Sequence, residues 1–255
     1  MGHVICIASQ KGGTGKTTTA VNLAASLALF EKRTLVVDCD PLGNATTGIG
    51  SNKDLISYSI FDALAGKIPF SGVTLSTCLS HLFLVPASND LFLIESRGTP
   101  GIDCERVLPG LIRNTANEYD YIIIDSPPSL GYLCMSALAS ADYLIIPTQR
   151  RLFSFEGLSP LLSLIQMVRF RTNAKLKVTG ILLTMVETDG CSSTEKTPDF
   201  LSSLKGRIFK TVIPMDATLA DASDHGKPGV LYDITASGPA AYLNLAQEMH
   251  KMLSS

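Results

Sequence analysis

The sequence lacks three features that would each define a class of protein. It has no cysteine pair with C-x-x-C spacing, no apolar run near the roughly 20 residues that cross a bilayer, and no basic segment before its first apolar stretch. These absences argue against a cysteine-held metal cluster, a membrane-spanning helix and a secretory signal peptide, respectively. We therefore expect a soluble, cytoplasmic protein.

The cysteines that are present lie scattered along the chain. Three of the six lie in or beside apolar stretches, where a free thiol behaves as a small hydrophobic side chain. We expect reduced thiols, as in a cytoplasmic protein, and a metal cluster at a dimer axis is the less favoured alternative. The six residues are Cys6, Cys39, Cys78, Cys104, Cys134 and Cys191.

A strong charge of one sign is also missing. The 255 residues carry 21 Lys and Arg against 23 Asp and Glu, a formal net charge of −2. A chain with this balance is no general binder of polyanions, so any contact with nucleic acid has to come from a local basic patch. With 45% hydrophobic residues, the chain is long enough to bury the core of one large α/β domain over residues 1–255.

Short β-branched runs alternate with helical patterns along the chain. Several runs are apolar on both faces, which predicts an α/β fold with a doubly wound, mostly parallel sheet and helices on both faces. The predicted strands cover residues 3–8, 34–38, 82–86, 121–125, 143–147, 178–184 and 208–213. The predicted helices cover residues 16–31, 59–65, 103–118, 129–140, 157–171, 197–204 and 239–253, and the polar stretch 188–198 is predicted to be a surface loop.

A glycine-rich segment, K-G-G-T-G-K-T-T over residues 11–18, joins the first predicted strand to the first predicted helix. Glycines let backbone N–H groups wrap phosphates without Cβ clashes, and a helix amino terminus adds donors and partial positive charge. Lys16 is placed to reach the β and γ phosphates, and the Thr17 hydroxyl to complete a Mg²⁺ shell. The segment predicts a P-loop NTPase whose phosphate-binding residues are Gly12, Gly13, Thr14, Gly15, Lys16, Thr17 and Thr18.

Lys11 stands five places ahead of Lys16 and directly before two glycines. Taken alone, Lys11 could be a solvated loop residue. As the first residue of K-G-G-T-G-K-T-T-T-A-V-N-L-A over residues 11–24, it belongs to a segment that resembles the deviant Walker A motif of the ParA/Soj-type partition ATPases and their MinD relatives. Further segments resemble the same family: D-C-D-P-L-G-N-A-T (38–46), Y-I-I-I-D-S-P-P-S-L-G (121–131), P-T-Q (147–149), E-G-L (156–158), I-P (213–214), G-K-P (226–228), L-Y-D (231–233) and A-Y (241–242).

This resemblance implies an ATP-dependent homodimer that uses Mg²⁺. In the family two subunits enclose the ATP molecules, so Lys11 would act across the interface and offset charge that develops on the transferring phosphoryl group. Asp40 would position or activate the attacking water. Asp38 and Asp125, each at the end of an apolar strand, would support Mg²⁺ directly or through water, and a capping role is the alternative.

The resemblance also implies slow turnover and a stimulating partner similar to ParB. ATP would favour the dimer and hydrolysis would release it. We expect ATP rather than GTP because the guanine-reading Asn/Thr-Lys-x-Asp motif is missing. By resemblance, the base would lie near residues 184–186 and the turn at Pro214 and Met215.

Three features depart from the family's pattern. Leu42 stands where Gln is common in D-P-Q-G-N, and Arg151 stands where Glu is common. The family's DNA-contacting arginines align with Asp189 in one loop and with Met215 and Thr218 in another. Nonspecific DNA binding would be weaker without these cations, and its salt dependence flatter.

A separate basic cluster lies between residues 150 and 177. This stretch contains six cations and one carboxylate, Glu156. The cations are Arg150, Arg151, Arg169, Arg171, Lys175 and Lys177. Arg169 and Arg171 end a predicted helix, where cations can simply complement the helix dipole. The alternative is that Arg169, Arg171, Lys175 and Lys177 form a patch that binds DNA or a partner.

The carboxy-terminal segment bears on two alternative functions. MinD relatives end in an amphipathic membrane anchor, whereas residues 243–255 have few basic residues and no aromatic anchor. We expect this segment to pack against the sheet, which leaves no stable membrane anchor and disfavours a MinD-like regulator of division-site placement. A metal-cluster carrier similar to the nitrogenase iron protein would need paired cysteines, and Cys134 has no near partner. The preferred function is a ParA-like ATPase that segregates or positions DNA or a cellular cargo and that could associate with the nucleoid.

Overall fold

A sheet of seven strands forms the centre of the computed structural model, which describes residues 2–97, 102–149, 155–187 and 208–254. The strands are β1 (His3–Ile7), β2 (Thr34–Asp38), β3 (Leu75–Ser76), β4 (Leu82–Val85), β5 (Tyr121–Asp125), β6 (Tyr143–Gln149) and β7 (Lys177–Thr184). Their order across the sheet is β3-β4-β2-β5-β1-β6-β7. All neighbouring strands are parallel except β3, which pairs with β4 in the antiparallel direction. The predicted doubly wound, mostly parallel sheet is confirmed.

Helices connect the strands and cover the sheet. They are α1 (Lys16–Leu29), α2 (Asn44–Gly48), α3 (Ile60–Leu64), α4 (Leu91–Arg97), α5 (Cys104–Thr115), α6 (Tyr132–Ser140), α7 (Phe155–Arg171), α8 (Ala217–Asp224), α9 (Gly229–Tyr232) and α10 (Ser237–Leu253). Three short 3₁₀ turns, Lys53–Leu55, Phe70–Gly72 and Ala116–Glu118, lie in the connections. Within the described parts of the chain, no helix combines the length and apolar character that crossing a membrane requires.

Apolar side chains form one cluster on each face of the sheet. Successive residues of β1 alternate between the two clusters, with Val4 and Cys6 on one face and Ile5 and Ile7 on the other. Helices α5, α6 and α7 cover the first face, and α1 and α10 cover the second. Because both faces are covered, β2 and β5 are buried along their whole length, which explains their continuous apolar sequences.

The carboxy-terminal helix α10 belongs to the core, as predicted. Tyr242, Leu245 and Met249 are buried against the second face of the sheet. The Tyr242 hydroxyl lies 3.1 Å from the Thr19 hydroxyl of α1, so the helix is fixed by a buried polar contact as well as by apolar packing.

The seventh predicted strand, residues 208–213, is wrong. The segment makes only isolated bridges near its two ends. The cause is a side chain of α10, because the Glu248 carboxylate accepts the backbone N–H groups of Lys210 and Thr211, both at 2.9 Å. Phe209 and Ile213 donate their N–H groups to β7, and the Thr211 N–H between them, held by Glu248, is not available for a continuous ladder.

Several short elements were not predicted from the sequence, namely β3, α2, α4, α8 and α9. The predicted helix at residues 197–204 and the predicted loop at 188–198 lie outside the described residues. The described residues share one sheet, and a single domain over residues 1–255 stays a prediction.

The cysteines described in the core behave as apolar side chains, as expected. Cys6, Cys39 and Cys134 are buried in the first apolar cluster. Burial raises the pKa of the Cys134 thiol to about 12, although a hydrogen bond with Ser126 acts in the opposite direction. This thiol is therefore protonated and poorly suited to ligate a metal or to react. Cys191 lies outside the described residues.

Candidate functional site

The glycine-rich segment forms a loop between β1 and α1. Gly13 and Gly15 have positive φ angles of 72° and 83°, a left-handed conformation that glycine adopts without strain. A Cβ at Gly12 or Gly13 would meet no atom within 4 Å, so space for a ligand borders this part of the loop. The N-cap residue of α1 is Gly15, which has no side chain to accept the first N–H groups of the helix, and the first turn contains no acidic residue. The first N–H groups of α1 are thus presented to an anion.

Polar residues at the ends of two neighbouring strands support the loop. The Gln149 side chain donates to the Gly13 carbonyl at 2.9 Å, and the Thr184 hydroxyl donates to the Thr14 carbonyl at 2.9 Å. Sequence reasoning did not assign these two contacts. The available signal was that each residue ends a strand on the side of the sheet where the loop lies.

Lys16 is the buried cation of the site. Its ammonium group donates to the Lys11 carbonyl at 3.3 Å, and only 7% of the residue is exposed. Burial lowers the pKa of Lys16, while the nearby carboxylates of Asp125 and Asp40 act in the opposite direction. The ammonium group therefore lies near these two carboxylates and within the glycine-rich loop, where a phosphate would offset its desolvation.

Lys11 differs from Lys16 in its surroundings. Its carbonyl oxygen accepts hydrogen bonds from Lys16 and from the Thr14 hydroxyl, which fixes the backbone, while the residue itself is exposed. The side chain thus starts from a rigid backbone at the surface of the site. Such a placement is what an action on a second subunit's nucleotide requires, and that role stays a prediction.

Asp125 lies fully buried at the end of β5. One of its carboxylate oxygens accepts the Thr17 hydroxyl at 2.8 Å, and the other, Oδ1, has no hydrogen-bond partner among the residues that the structure describes. Burial and the neighbouring Asp38 raise the pKa of Asp125 well above its usual value. An unpaired carboxylate oxygen beside a threonine hydroxyl fits a divalent cation, so the residues present satisfy the chemistry of a Mg²⁺ site.

Asp38 is paired with Asp125 across β2 and β5, and both of its carboxylate oxygens accept hydrogen bonds. It accepts the Asp40 N–H at 3.1 Å and both the N–H and the hydroxyl of Thr46 at 2.7 Å. Burial raises the pKa of Asp38 to about 6, with the hydrogen bonds from Thr46 and Asp40 acting in the opposite direction. These contacts are of the kind that a capping role involves, and support of Mg²⁺ by Asp38, directly or through water, stays a prediction. Sequence reasoning missed Thr46.

Asp40 begins a tight turn beside these two carboxylates. Its Oδ1 accepts the Leu42 N–H at 3.0 Å, its carbonyl accepts the Gly43 N–H at 2.8 Å, and Gly43 has a positive φ of 60°. The side chain is buried near Lys16, whose pKa it influences. The catalytic role of Asp40 stays a prediction.

The region predicted for the base lies at the same edge of the sheet. Val186 and Pro214 form an isolated bridge, and the Met215 N–H donates to the Val186 carbonyl at 3.0 Å. Met215 is 63% exposed and Met185 is 37% exposed. Thr184, which contacts the phosphate loop, lies two residues before Val186 in this region, and the region's role in binding the base stays a prediction.

Asp216 anchors the turn that contains Pro214 and Met215. Its carboxylate accepts the N–H groups of Thr218 at 2.9 Å and Gly238 at 2.7 Å, and the Ser237 hydroxyl at 2.8 Å. Burial alone would raise the pKa of Asp216, but the hydrogen bonds outweigh it and lower the pKa to about 2. The residue therefore caps α8 and ties it to the start of α10.

Asp216→Ala is expected to lower the melting temperature at pH 7 by about 2–4 °C, because a lost cap destabilises by about 1 kcal/mol. Because the pKa of Asp216 is lower in the folded than in the unfolded protein, the ionised carboxylate stabilises the fold at pH values above the unfolded pKa. The difference in melting temperature between variant and wild type should therefore shrink as the pH falls from about 4 through about 2. Thermal unfolding across this pH range is the measurement. Asp224→Ala on the same helix is the control, and an equal loss there would contradict the capping role.

The predicted basic patch lies near the amino-terminal end of β7, whereas the phosphate loop lies at the carboxy-terminal ends of the strands. Lys177 begins β7 and Thr184 ends it beside the loop, so the two regions are about 20 Å apart along the strand. Arg169 donates from Nε to the Leu176 carbonyl at 2.8 Å, and the Lys177 ammonium lies 5.7 Å from the centre of the Tyr143 ring. These two cations therefore have structural contacts.

Arg171 and Lys175 extend the patch into solvent. Phe170, between Arg169 and Arg171, is 92% exposed. An exposed aromatic ring beside two exposed cations is suited to a polyanion or to an acidic partner. Arg150, Arg151 and Asp189 lie outside the described residues.

Comparison with known proteins places this site in a family context. A family model described as an AAA domain matches residues 2–178. The chain is 43% identical over 251 residues to the chromosome partitioning protein ParA of Myxococcus xanthus, covering 98% of this chain and 89% of that protein. It is 39% identical over 249 residues to the sporulation initiation inhibitor protein Soj of Bacillus subtilis, covering 98% of each chain.

The fold is also found among solved structures. The septum site-determining protein MinD of Pyrococcus horikoshii, solved in complex with Mg-ADP, superposes with a TM-score of 0.79 at 26% identity. The alignment covers 99% of this chain and 98% of that one. A protein of this architecture thus holds a nucleoside diphosphate with magnesium.

Proposed function

Because the chain belongs to the ParA/Soj family of chromosome-partitioning ATPases, we propose that it binds and hydrolyses ATP with Mg²⁺ and dimerises around the nucleotide to segregate or position DNA or a cellular cargo. One observation carries this proposal. An exposed Lys11 precedes a phosphate loop that already contains its own buried lysine, Lys16. A second lysine that is not needed in its own site is available to a partner's site.

Each site residue has a defined task in this proposal. The N–H groups of the loop and Lys16 would hold the phosphates, and Thr17 with Oδ1 of Asp125 would hold Mg²⁺, which would supply positive charge beside the phosphates. Lys11 of the partner copy would add a second cation, and Asp40 would position the water. We expect slow turnover, because the completed site needs two copies. We also expect a ParB-like partner to stimulate it.

DNA binding in this proposal depends on the basic patch rather than on the arginines used elsewhere in the family. We propose a cytoplasmic protein that associates with the nucleoid through Arg171 and Lys175, with Arg169 and Lys177 contributing positive potential. The exposed ring of Phe170 at the centre of the patch supports this assignment.

Reversing both Arg171 and Lys175 to Glu is expected to weaken DNA retention at least tenfold at about 0.1 M salt and to flatten its salt dependence. Retention of the ATP-loaded protein on duplex DNA, measured over a salt series, tests this. The matched control reverses Arg106 and Arg113, two exposed cations on α5, and changes the net charge by the same amount. Equal losses in the two variants would mean that net charge alone, and not this patch, governs retention.

Lys16→Ala provides the test of the proposed function as a whole. The variant removes the cation of the phosphate loop, so it should lose ATP hydrolysis, ATP-dependent dimerisation and ATP-dependent DNA retention together. The wild type should retain DNA only with ATP and Mg²⁺. DNA retention that is the same in both proteins, with and without ATP, would reject a nucleotide-controlled switch.

A MinD-like membrane regulator is the alternative that the solved MinD structure keeps open. It predicts ATP-dependent pelleting with anionic liposomes. The burial of Tyr242, Leu245 and Met249 of α10 in the core argues against it, because the helix has no apolar face left for a membrane.

A further inference from the structure

The segment after Asp125 is held by a side chain from a distant helix. Glu95 on α4 accepts the Ser129 hydroxyl with Oε1 and the Leu133 N–H with Oε2, the latter at 3.1 Å. Ser129 lies in the S-P-P-S-L-G segment at residues 126–131, and Leu133 lies in the first turn of α6. One carboxylate thus fixes the segment and caps the next helix.

Gly131 is shaped around this carboxylate. A Cβ at residue 131 would overlap Oε1 of Glu95, although the φ of Gly131 is −90° and open to any residue. A Cβ at this position would therefore have to push the Glu95 carboxylate aside, whereas the backbone conformation itself suits any residue.

The chain just before α4 is tied to the second buried carboxylate. Ala87, just after β4, donates its N–H to the Thr46 hydroxyl at 3.1 Å, and that hydroxyl donates to Asp38. In the sheet, β2 lies between β4 and β5. The connection that runs from Ala87 after β4, through α4, to Ser129 after β5 therefore passes the end of β2, where Asp38 and Asp40 lie. The segments after Asp38 and after Asp125 are thereby joined through one short helix.

We propose that Glu95 is a positioning residue for ATP hydrolysis, holding residues 126–131 so that Asp125 and the turn at Asp40 keep a fixed relative geometry. This inference rests on the proposed function. Glu95 does not contact the phosphate loop in the described structure, so it acts through Ser129 and the start of α6. Its loss should slow the chemical step while ATP binding remains, because the residues that hold the phosphates are unaffected.

Two variants break the same contact from opposite sides. Glu95→Ala removes the carboxylate, and Gly131→Ala displaces it, which the flexible Glu95 side chain can accommodate. Each is expected to lower kcat about tenfold and to change KM for ATP less than about twofold. The double variant should be no worse than either single variant, since both remove one contact. Glu95→Gln keeps one acceptor oxygen and should lose only about threefold.

Amide hydrogen exchange gives a readout that does not depend on activity. In the nucleotide-free protein, both single variants should exchange faster at residues 126–133 while β1 and β5 stay protected. Unchanged exchange in this segment, or faster exchange with an unchanged kcat, would overturn the proposal, as would additive effects in the double variant. A wild-type protein that does not hydrolyse ATP would refute the proposed function instead, and the exchange result would still decide whether Glu95 holds the segment.

Discussion

Lys11→Ala is expected to lower the rate of ATP hydrolysis by about 10³-fold while ATP binding changes little, because a cation supplied in trans to a transferring phosphoryl group contributes this much. The phosphate loop keeps Lys16 and its N–H donors in this variant. Its backbone is also retained, since Lys11 contributes only its carbonyl oxygen to the contacts with Lys16 and Thr14. Single-turnover hydrolysis and binding of a fluorescent ATP analogue measure the two effects separately.

A mixing experiment shows on which subunit Lys11 acts. Lys11→Ala and Asp40→Ala proteins are each expected to be inactive. In a mixed dimer, the Lys11→Ala subunit keeps its own Asp40 and receives Lys11 from its partner, so an equal mixture should recover about a quarter of the wild-type rate. Lys251→Ala, at an exposed lysine in the last turn of α10, is the matched control and should stay active. An inactive mixture would place Lys11 in its own site.

The sheet and the phosphate loop could be predicted because their signals are local. Continuous apolar runs such as residues 122–124 are required when helices cover both faces, and glycines at residues 13 and 15 are required by positive φ. Both requirements act on neighbouring residues, so the pattern is visible in the sequence. The same holds for Asp38 and Asp125 at the ends of adjacent strands.

The parts that could not be predicted depend on side chains far away in sequence. Glu248 takes the donors of Lys210 and Thr211 and so interrupts a segment whose composition suits a strand. Glu95 likewise fixes residues more than thirty positions later. A carboxylate on a helix gives no sign in sequence of which backbone N–H it will accept, so these contacts follow only from the folded arrangement.

Asp38 shows the same limit within the site. Its place at the end of β2 indicated a metal ligand or a cap, and the two roles have the same sequence pattern. The three hydrogen bonds from Asp40 and Thr46 occupy three of the roughly four acceptor sites of the carboxylate, a contact pattern that could not be read from the sequence. Asp125, with one oxygen unpaired, is the stronger candidate for Mg²⁺.

Asp40→Ala is expected to reduce hydrolysis by about 10²-fold or more and to trap an ATP-bound dimer, because the water loses its positioning group while the phosphate loop and Lys11 remain. Small-angle scattering with ATP and Mg²⁺ should then give twice the monomer mass of 27.2 kDa, and without ATP the monomer mass. The variant also loses the acceptor for the Leu42 N–H, so a lower stability has to be separated from the loss of chemistry.

Asp40→Asn makes that separation. The amide oxygen can still accept the Leu42 N–H, so the turn should be retained while the negative charge beside the water is lost. If the charge of Asp40 serves hydrolysis, Asp40→Asn should be as slow as Asp40→Ala, with a melting temperature close to that of the wild type, and should dimerise with ATP just as readily. If both variants have the same mass with and without ATP, nucleotide binding does not drive assembly. If Asp40→Asn is active, catalysis needs the turn and not the charge of Asp40.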